Sequence, residues 1–269
     1  TQIKYSTFSR LPSFAIIAHR GASAYAPENT IVAFELAVQQ AADAIELDAC
    51  LTRDEQIVVI HGPSVAPTTG VEKIVGDMTL KDIQTLDICS EYKTSSGSLR
   101  IPTLDEVFEV VGKRIVINVE LKDFSFFSST LPEKIATIVK QHNFEDWVFF
   151  SSFNPISLIK IKKDLPHTPI ALLTRRSIYG SFANSLIRES INYQALHPYH
   201  GDLSTKLVKR LHKNHKRIHP FTLNSKEDIV QVIKIGVDGI IGDDPLLMRS
   251  VKDDVIDPQE NHDPRTMDH

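Results

Sequence analysis

Residues 44–50 read Ala-Ile-Glu-Leu-Asp-Ala-Cys, and no other segment says more about the architecture of this chain. Side chains alternate between the two faces of a β-strand, so Ile45 and Leu47 share one face while Glu46 and Asp48 share the other. The apolar face suits contact with a layer of helices. The acidic face then points into an interior, where an uncompensated charge is very costly. The segment therefore predicts a strand whose inner side meets positive charge.

A second segment, residues 115–122, repeats the arrangement as Ile-Val-Ile-Asn-Val-Glu-Leu-Lys. Asn118, Glu120 and Lys122 fall on one face of this strand, and apolar residues fall on the other. The two strands therefore send carboxylates toward a common interior, close to their C-terminal ends. In a parallel barrel, functional groups gather at that end of the strands.

The carboxylates of Glu46, Asp48 and Glu120 form an all-oxygen set. Such a set suits one hard divalent cation, Mg²⁺ or Ca²⁺ with Mn²⁺ as a further candidate, better than it suits zinc. The alternative is a buried ion-pair network in which Arg20 and Lys122 neutralise the acids. Because buried ion pairs seldom add net stability, the metal site is the favoured interpretation.

Short β-rich runs alternate with helical patterns along most of the sequence. Alternation over about 250 residues is typical of an α/β protein with eight parallel strands, the (β/α)8 TIM barrel. A doubly wound open sheet is the competing fold, but no Gly-rich dinucleotide fingerprint follows the first strand. The eight candidate strands are residues 14–19, 44–50, 115–120, 148–152, 170–173, 193–197, 218–222 and 239–241.

Residues 57–61 break this alternation, because they follow the acidic strand after a link too short for a parallel crossover. We interpret them as an antiparallel strand, and residues 62–102 as a small insertion after the second strand, over one mouth of the barrel. The expected organisation is a single domain over residues 14–250. A polar tail over residues 252–269 lacks periodicity, and we expect it to be mobile.

Composition excludes several classes of protein. With 42% hydrophobic and 24% charged residues, the chain is neither disordered nor fibrous. Its 30 basic and 34 acidic residues give a net charge of −4, so no global positive field attracts nucleic acid or an anionic membrane. No apolar run is long enough to span a bilayer. The apolar run at residues 14–18 is too short for a secretion signal, so we expect a cytoplasmic protein.

Two histidines, His19 and His61, each end a predicted strand near the carboxylates. Imidazoles with an ordinary pKa of about 6.5 serve as acid and base at neutral pH. Arg20 offers a planar fork for phosphate oxygens, and Lys122 offers a point charge. Together with a metal, these groups describe a phosphoryl-transfer site. One His takes a proton from the attacking hydroxyl, and the other protonates the leaving alkoxide.

An ordered series of short motifs runs from the first strand to the third. It comprises His19-Arg20-Gly21-Ala22-Ser23, Pro27-Glu28-Asn29-Thr30, Glu46-Leu47-Asp48, His61, Ile101-Pro102-Thr103-Leu104 and Glu120-Leu121-Lys122. In this combination, and over residues 15–245, the chain resembles the glycerophosphodiester phosphodiesterases. Each motif is weak alone, but their order makes the resemblance very specific.

The resemblance implies a β/α barrel with a small insertion after the second strand. It also implies hydrolysis of a small-molecule glycerophosphodiester to sn-glycerol 3-phosphate and an alcohol. The implied roles are metal ligands for Glu46, Asp48 and Glu120, an acid–base pair for His19 and His61, phosphate contacts for Arg20 and Lys122, and support of the site for Glu28 and Asn29.

The sequence departs from the family pattern at several positions. Phe221 stands where the family has Trp, and it keeps an apolar wall for the glycerol backbone of the substrate. Glu55 stands where a turn usually has Gly. Gly62 replaces the usual Asp after His61, which takes away a candidate orienting partner of that histidine. A slower enzyme or a different leaving group would follow from this last change.

Two alternative functions stay open. A lysophospholipase D-type barrel would act on lysophospholipid, with an apolar lip at Phe124, Phe126 and Phe127. A catalytically weak homologue would bind glycerol phosphate and have lost turnover through Gly62. Within the phosphodiesterase reaction, attack on phosphorus by the neighbouring glycerol hydroxyl and attack by water also both remain open.

Other polar clusters have plainer interpretations. His212, His215 and His219 lie in or beside a basic run, residues 209–217, that predicts a solvated helix face rather than a metal site. His197 and His200 flank Pro198-Tyr199 at a strand end, where an ordinary loop is the favoured interpretation and a substrate-side role is the weaker alternative. Asp243 and Asp244 precede Pro245, and we expect them to cap a helix or form a turn.

Overall fold

The computed structural model describes residues 6–88, 99–123, 129–175 and 191–256. These residues form nine β-strands. Eight of them run parallel in the order β8-β7-β6-β5-β4-β2-β1-β9, and β3 pairs antiparallel with β2. The strands are β1 (Ala15–Ala18), β2 (Ala44–Leu51), β3 (Ile57–Val59), β4 (Val116–Leu121), β5 (Val148–Ser152), β6 (Ile170–Thr174), β7 (Ala195–Pro198), β8 (Arg217–Ile218) and β9 (Gly239–Gly242).

The α-helices begin at residues that suit a helix N-terminus. Thr103 accepts a hydrogen bond from Glu106 N while the Glu106 carboxylate accepts one from Thr103 N, which forms a capping box. No helix in the described part of the chain is long and apolar enough to cross a membrane. The helices are α1 (Ser6–Ser9), α2 (Ile31–Gln39), α3 (Ala66–Thr69), α4 (Leu80–Ile83), α5 (Leu104–Val111), α6 (Leu131–Gln141), α7 (Pro155–Asp164), α8 (Thr205–Lys213), α9 (Lys226–Ile235) and α10 (Pro245–Ile256).

Main-chain hydrogen bonds bring the two ends of the parallel sheet together. Asp238 N, just before β9, donates to Ile218 O of β8 over 3.0 Å, and farther along Leu223 N donates to Ile241 O over 2.9 Å. The result is a nearly closed barrel of eight parallel strands, which confirms the predicted TIM barrel. The seventh predicted parallel strand is shorter than expected, because β8 ends at Ile218 and the next residues are joined by these separate bonds.

The two faces of β2 divide as the alternation predicts. Ile45 and Leu47 are fully buried in the large core between the sheet and the helices. On the inner side, a smaller apolar cluster fills the N-terminal end of the barrel, and Phe8 of α1 packs against Phe149 with 5.2 Å between ring centroids. This cluster includes Leu11, Ala15, Ile17, Ala44, Val116, Phe149, Ala171, Ala195 and Ile241. The polar inner residues therefore lie toward the C-terminal end.

The insertion after the second strand starts from the predicted hairpin, since Ala49 pairs with Val59 in the antiparallel β2–β3 ladder. The described residues of the segment 62–102 contain α3 and α4, and they share a small core of their own with β3. At the other end of the chain, α10 continues to Ile256. Residues 252–256 are therefore helical and not part of a tail, and residues 257–269 lie outside the described part.

Candidate active site

Three buried carboxylates meet at the C-terminal end of two neighbouring strands. In the β2–β4 ladder Asp48 lies opposite Glu120, and Glu46 lies one step deeper. Glu46, Asp48 and Glu120 are 4%, 1% and 9% exposed, and each offers an oxygen within 4.8 Å of the others. The three carboxylates therefore face one shared interior, as the alternation of side chains predicts, and the set could hold a metal ion.

Two cations lie against these carboxylates. Lys122 Nζ is 3.0 Å from a Glu120 oxygen and 3.3 Å from Asp48 Oδ1. Arg20 Nε is 3.1 Å from Asp48 Oδ2, and the Arg20 main-chain N–H donates to Glu46 Oε2 over 3.0 Å. Both cationic side chains therefore contact Asp48. From the same two residues, Glu46 receives one main-chain hydrogen bond, which Arg20 donates.

The loop after β1 places two polar side chains against the residues of the site. Asn29 Nδ2 donates to Asp48 Oδ2 over 2.8 Å, and Asn29 Oδ1 accepts from Asp48 N over 3.1 Å. Glu28 accepts from Arg20 over 2.7 Å. Gly21 has a φ of +84°, and a Cβ there would lie 2.6 Å from the main chain of Ala33, so this close approach requires glycine.

The pKa values show that the negative charge is only partly compensated. Burial, together with the charges of Asp48 and Glu120, raises the pKa of Glu46 to about 8. Burial and the charge of Asp48 also raise the pKa of Glu120. For Asp48, burial alone would raise the pKa, but Lys122 and Arg20 outweigh it and lower the value. A divalent cation would supply the missing positive charge, so these residues fit a hard metal ion.

His19 is fixed by a carboxylate from the far end of the chain. Its Nδ1 lies 2.6 Å from Asp243 Oδ1, and Asn224 holds Asp243 in place through a side-chain bond of 2.5 Å and a main-chain bond of 3.0 Å. Burial alone would lower the pKa of His19, but the Asp243 hydrogen bond and the charge of Glu46 outweigh burial and raise it. His19 therefore favours its protonated form more than a free histidine does.

His61 has a different environment, at the exposed rim after β3. Partial burial of the imidazole lowers its pKa, and the charges of Arg20 and Lys122 act in the same direction. Gly62, which follows it, has a φ of +88°, in the region that favours glycine. The pKa values of the two imidazoles are thus shifted in opposite directions. That of His19 is raised, and that of His61 is lowered.

One cavity of about 260 Å³ collects most of the predicted site residues. Phe221 and Phe153 form part of its wall, with 6.0 Å between ring centroids in an edge-to-face arrangement. Asp48 does not line the cavity but lies directly behind it, where it bonds the two cations. The predicted residues that line the cavity are His19, Arg20, Glu46, His61, Glu120, Lys122 and Phe221.

This arrangement can be compared with known proteins. The model of the Glycerophosphoryl diester phosphodiesterase family matches residues 19–247 of the chain. The chain belongs to this family. Its membership confirms the resemblance inferred from the motifs, the barrel fold and the assignment as a phosphodiesterase. The roles of individual residues and the identity of the metal ion stay predictions.

Relatives of the chain within the phosphodiesterase family are similar over nearly their whole length. A glycerophosphodiester phosphodiesterase from Caldanaerobacter subterraneus subsp. tengcongensis is 42% identical over 231 residues, which cover 86% of this chain and 94% of that protein. The crystal structure of a glycerophosphodiester phosphodiesterase from Thermotoga maritima is 27% identical, with a TM-score of 0.70 over 88% of this chain and 98% of the other. An Oleispira antarctica phosphodiesterase, solved in complex with the product sn-glycerol-3-phosphate, is 25% identical, with a TM-score of 0.77 over 92% of this chain and 99% of the other.

Some residues of this phosphodiesterase lie where the sequence did not lead us to expect them. Asp244 caps α10, as predicted, but Asp243 bonds His19 instead of serving the turn alone. His219 was predicted beside a solvated helix face, yet it is fully buried inside the barrel, with its Nδ1 3.2 Å from Nε2 of the buried His197. His197 also lines the cavity. The predicted apolar lip, residues 124–127, lies outside the described residues.

Proposed function

We propose that this chain hydrolyses glycerophosphodiesters to sn-glycerol 3-phosphate and an alcohol, with a divalent cation and acid–base catalysis by two histidines. One observation supports this most: a single small cavity is lined by two of the three clustered carboxylates, by the cations Arg20, Lys122 and Arg175, and by three imidazoles, two of which are His19 and His61. This set matches what phosphodiester hydrolysis needs, namely charge stabilisation and two proton transfers. The product bound by the Oleispira relative is the one that the proposal predicts here.

Glu46, Asp48 and Glu120 would hold the cation, which supplies Lewis-acid polarisation of the phosphoryl oxygens when it is bound. Arg20 and Lys122 line the same cavity as Glu46 and Glu120. Their charges offset the negative charge that grows on the phosphoryl oxygens in the transition state. Because these side chains are held by Asp48 and Glu120 before substrate arrives, little reorganisation is needed during the reaction.

The two imidazoles have separate tasks in this proposal. His19 is bonded to a carboxylate, which stabilises the protonated ring and leaves Nε2 to donate a proton to the leaving alkoxide. His61 favours its neutral form and accepts the proton of the attacking hydroxyl. The attacking group is either the neighbouring glycerol hydroxyl or water. A trapped cyclic phosphate would favour the first, and oxygen-18 from water in the product without such an intermediate would favour the second.

The experiment that tests the function is a panel of glycerophosphodiesters and one lysophospholipid, assayed with Mg²⁺, Mn²⁺ and Ca²⁺ before and after chelation. We expect turnover of the soluble diesters that chelation abolishes and added cation restores. Turnover that survives chelation would contradict the metal dependence. Undetectable hydrolysis with intact binding of glycerol phosphate would instead establish the binding homologue, and preference for the lysophospholipid would establish the lysophospholipase D-type activity.

Asp243→Asn tests the acid–base assignment of His19. Losing the carboxylate lowers the pKa of His19 and loosens its orientation, so we expect kcat to fall by roughly tenfold, below the full value of an acid–base group. Since His19 acts while protonated, the alkaline limb of the pH–rate profile should move to lower pH. The matched control is Asp105→Asn, which alters a similar bond to His142 (2.9 Å) outside the cavity. An unchanged alkaline limb would contradict the assignment.

Gly62→Asp tests whether the missing carboxylate is a deficit. The space beside Gly62 is open within 4 Å, but its positive φ would strain an Asp. We therefore expect kcat/KM at or above that of the unmodified enzyme, while Tm falls by roughly 2–4 °C for a cost of about 1 kcal/mol. Gly62→Asn carries the same backbone cost without the charge. A collapse in the rate of both variants would show that the loop is built around glycine.

A further inference from the structure

The mouth of the cavity carries a third cation besides Arg20 and Lys122. Arg175 directly follows β6, and it lines the cavity together with Leu173, two residues earlier on the same face of the strand. Leu173 is buried, whereas Arg175 is exposed to solvent. Arg175 therefore lies where the cavity opens, and neither the proposed metal site nor the proposed proton transfers use it.

Arg175 differs from the other two cations of the cavity because no carboxylate neutralises it. Arg20 and Lys122 each contact two carboxylates, and Asp48 is common to both. In the part of the chain that the structure describes, no acidic side chain pairs with Arg175. Since a guanidinium is always protonated in proteins, this side chain presents a full positive charge and its N–H donors to whatever occupies the mouth.

An aromatic ring holds Arg175 without neutralising it. The guanidinium carbon lies 5.4 Å from the centroid of the Tyr199 ring, which is within the range of a cation–π contact. Tyr199 is itself fixed to the sheet, since its main-chain N–H donates to Thr174 O over 2.8 Å and the residue pairs with Phe221. Because a cation–π contact needs none of the N–H donors, the planar fork of Arg175 stays available for an anion.

The position of Arg175 separates it from the proposed phosphate site. Glu120 lies on β4 and Arg175 follows β6, with β5 between these two strands. Two strand spacings amount to roughly 10 Å. The proposed function places the phosphate against the carboxylates. A charged group that a short carbon chain links to this phosphate can therefore extend toward Arg175.

The remaining wall at the mouth is apolar. Phe153 and Phe221 form it, and Phe153 is 43% exposed. At about 260 Å³, the cavity is smaller than the roughly 300–1,000 Å³ typical of sites for drug-sized ligands, so the alcohol half of a large diester extends through the mouth. Two phenyl rings alone would also attract a cation, but the like charge of Arg175 opposes it. The mouth therefore favours an anionic group.

We propose that Arg175 determines specificity by binding an anionic group, such as a carboxylate, on the alcohol half of the substrate. The inference rests on the proposed function for the identity of the phosphate and glycerol half. A carboxylate accepts two parallel N–H bonds from a guanidinium, so geometry adds to the attraction between the charges. The enzyme then favours diesters of an acidic alcohol over diesters of a cationic one.

The test uses two diesters that differ by one carboxylate, glycerophosphoserine and glycerophosphoethanolamine. We expect the unmodified enzyme to prefer glycerophosphoserine by roughly fivefold in kcat/KM, the upper end of what an exposed ion pair contributes. Arg175→Gln should lower kcat/KM for glycerophosphoserine, whose carboxylate loses its partner, and raise it for glycerophosphoethanolamine, whose ammonium loses a like charge. Arg210→Gln is the matched control, because Arg210 is also exposed but lies on α8 outside the cavity.

Two further measurements separate a charge contact from a role in packing. Raising the ionic strength from about 0.05 M to about 0.5 M should shrink the preference of the unmodified enzyme and leave the ratio in Arg175→Gln unchanged, because salt screens exposed charges. Arg175→Lys should retain part of the preference, since lysine keeps the charge but loses the planar fork.

The possible outcomes are distinct. A fall in kcat/KM by the same factor for both diesters in Arg175→Gln would overturn the proposal and assign Arg175 to the phosphate. An unchanged ratio would also overturn it and leave the proposed function intact. If no diester is hydrolysed, the proposed function fails, and calorimetric binding of the two diesters decides. Tighter binding of glycerophosphoserine that Arg175→Gln removes would then support the role of Arg175, and equal binding would overturn it.

Discussion

Glu46→Gln should abolish turnover of glycerophosphodiesters and weaken metal binding while the barrel stays folded. Glu46 is buried beside Asp48 and Glu120, and it has the least compensated charge of the three. Gln has nearly the same shape, and its amide oxygen can still accept the hydrogen bond from Arg20 N. The change therefore removes one negative charge from the proposed metal site and leaves the packing intact. We expect a fall in kcat of at least a hundredfold.

The same substitution should change how the metal-free protein responds to pH. The pKa of Glu46 is raised from its ordinary 4.5 to about 8, so folding takes up a proton at this group. Its contribution to stability is complete below about pH 4.5 and is lost as the pH rises through about 8. Metal-stripped Glu46→Gln has no such group, so its Tm should exceed that of the metal-stripped parent at pH 8 and depend less on pH.

Calorimetric titration of Mg²⁺, Ca²⁺ and Mn²⁺ into the stripped proteins, with thermal melts from pH 5 to 8.5, measures both effects. Glu35→Gln is the control, because Glu35 pairs with Arg114 on the outer surface and should affect neither metal binding nor turnover. Normal activity in Glu46→Gln would refute the ligand assignment. A lower Tm of the stripped variant at pH 8 would show that ion pairs within the protein stabilise the ionised Glu46, and would contradict the raised pKa.

The sequence predicts the carboxylate cluster because it depends on rules that act locally. Side chains alternate between the two faces of β2 and β4. A charged side chain is tolerated at few positions on the inner face of a strand, because an uncompensated buried charge is costly. Once the two strands are neighbours, Asp48 and Glu120 come opposite each other in the ladder. The cations follow from the same argument, since buried acids require positive charge nearby. The one pairing that this part of the site requires, β2 with β4, joins consecutive parallel strands of the predicted barrel.

The contact between Asp243 and His19 could not be predicted from local rules. It is separated from His19 by 224 positions, and the two meet because closing the barrel pairs β1 with β9, Ala18 opposite Gly242. Seen along the sequence alone, Asp243 is a polar residue before a proline, and a turn is the natural interpretation. The contact becomes predictable only once the strand pairing is known, because residues that follow two paired strands at the same level are neighbours.

His219 shows a different limit. The basic run before it predicts a solvated helix, and α8 does carry that run up to Lys213. A strand begins at Arg217, however, and alternation along it places His219 inside the barrel. His219 lies within the predicted strand 218–222, but the charge pattern of the preceding helix was given more weight than the strand. His197 ends the predicted strand 193–197, and its position there was likewise given less weight than the loop that follows.

His19→Ala should reduce kcat by at least a hundredfold, the lower bound for losing an acid–base group. His19 lies at the end of β1 within the cavity, and its Nδ1 is engaged by Asp243, so only Nε2 is left for the substrate. Alanine removes this donor and leaves a space beside the leaving group. The carboxylates and cations remain bonded to one another, and metal binding should therefore persist.

Free imidazole added to His19→Ala offers the sharpest check, because a protonated imidazole molecule can enter the vacated space and donate the proton in place of His19. We expect partial recovery of kcat that rises with imidazole concentration, and no such response in His142→Ala, whose ring also bonds a carboxylate, Asp105, but lies outside the cavity. A structural role for His19 would lower Tm and give no recovery. If kcat stayed unchanged while KM alone rose, His19 would serve in binding, and the acid would have to be sought among the remaining groups of the cavity.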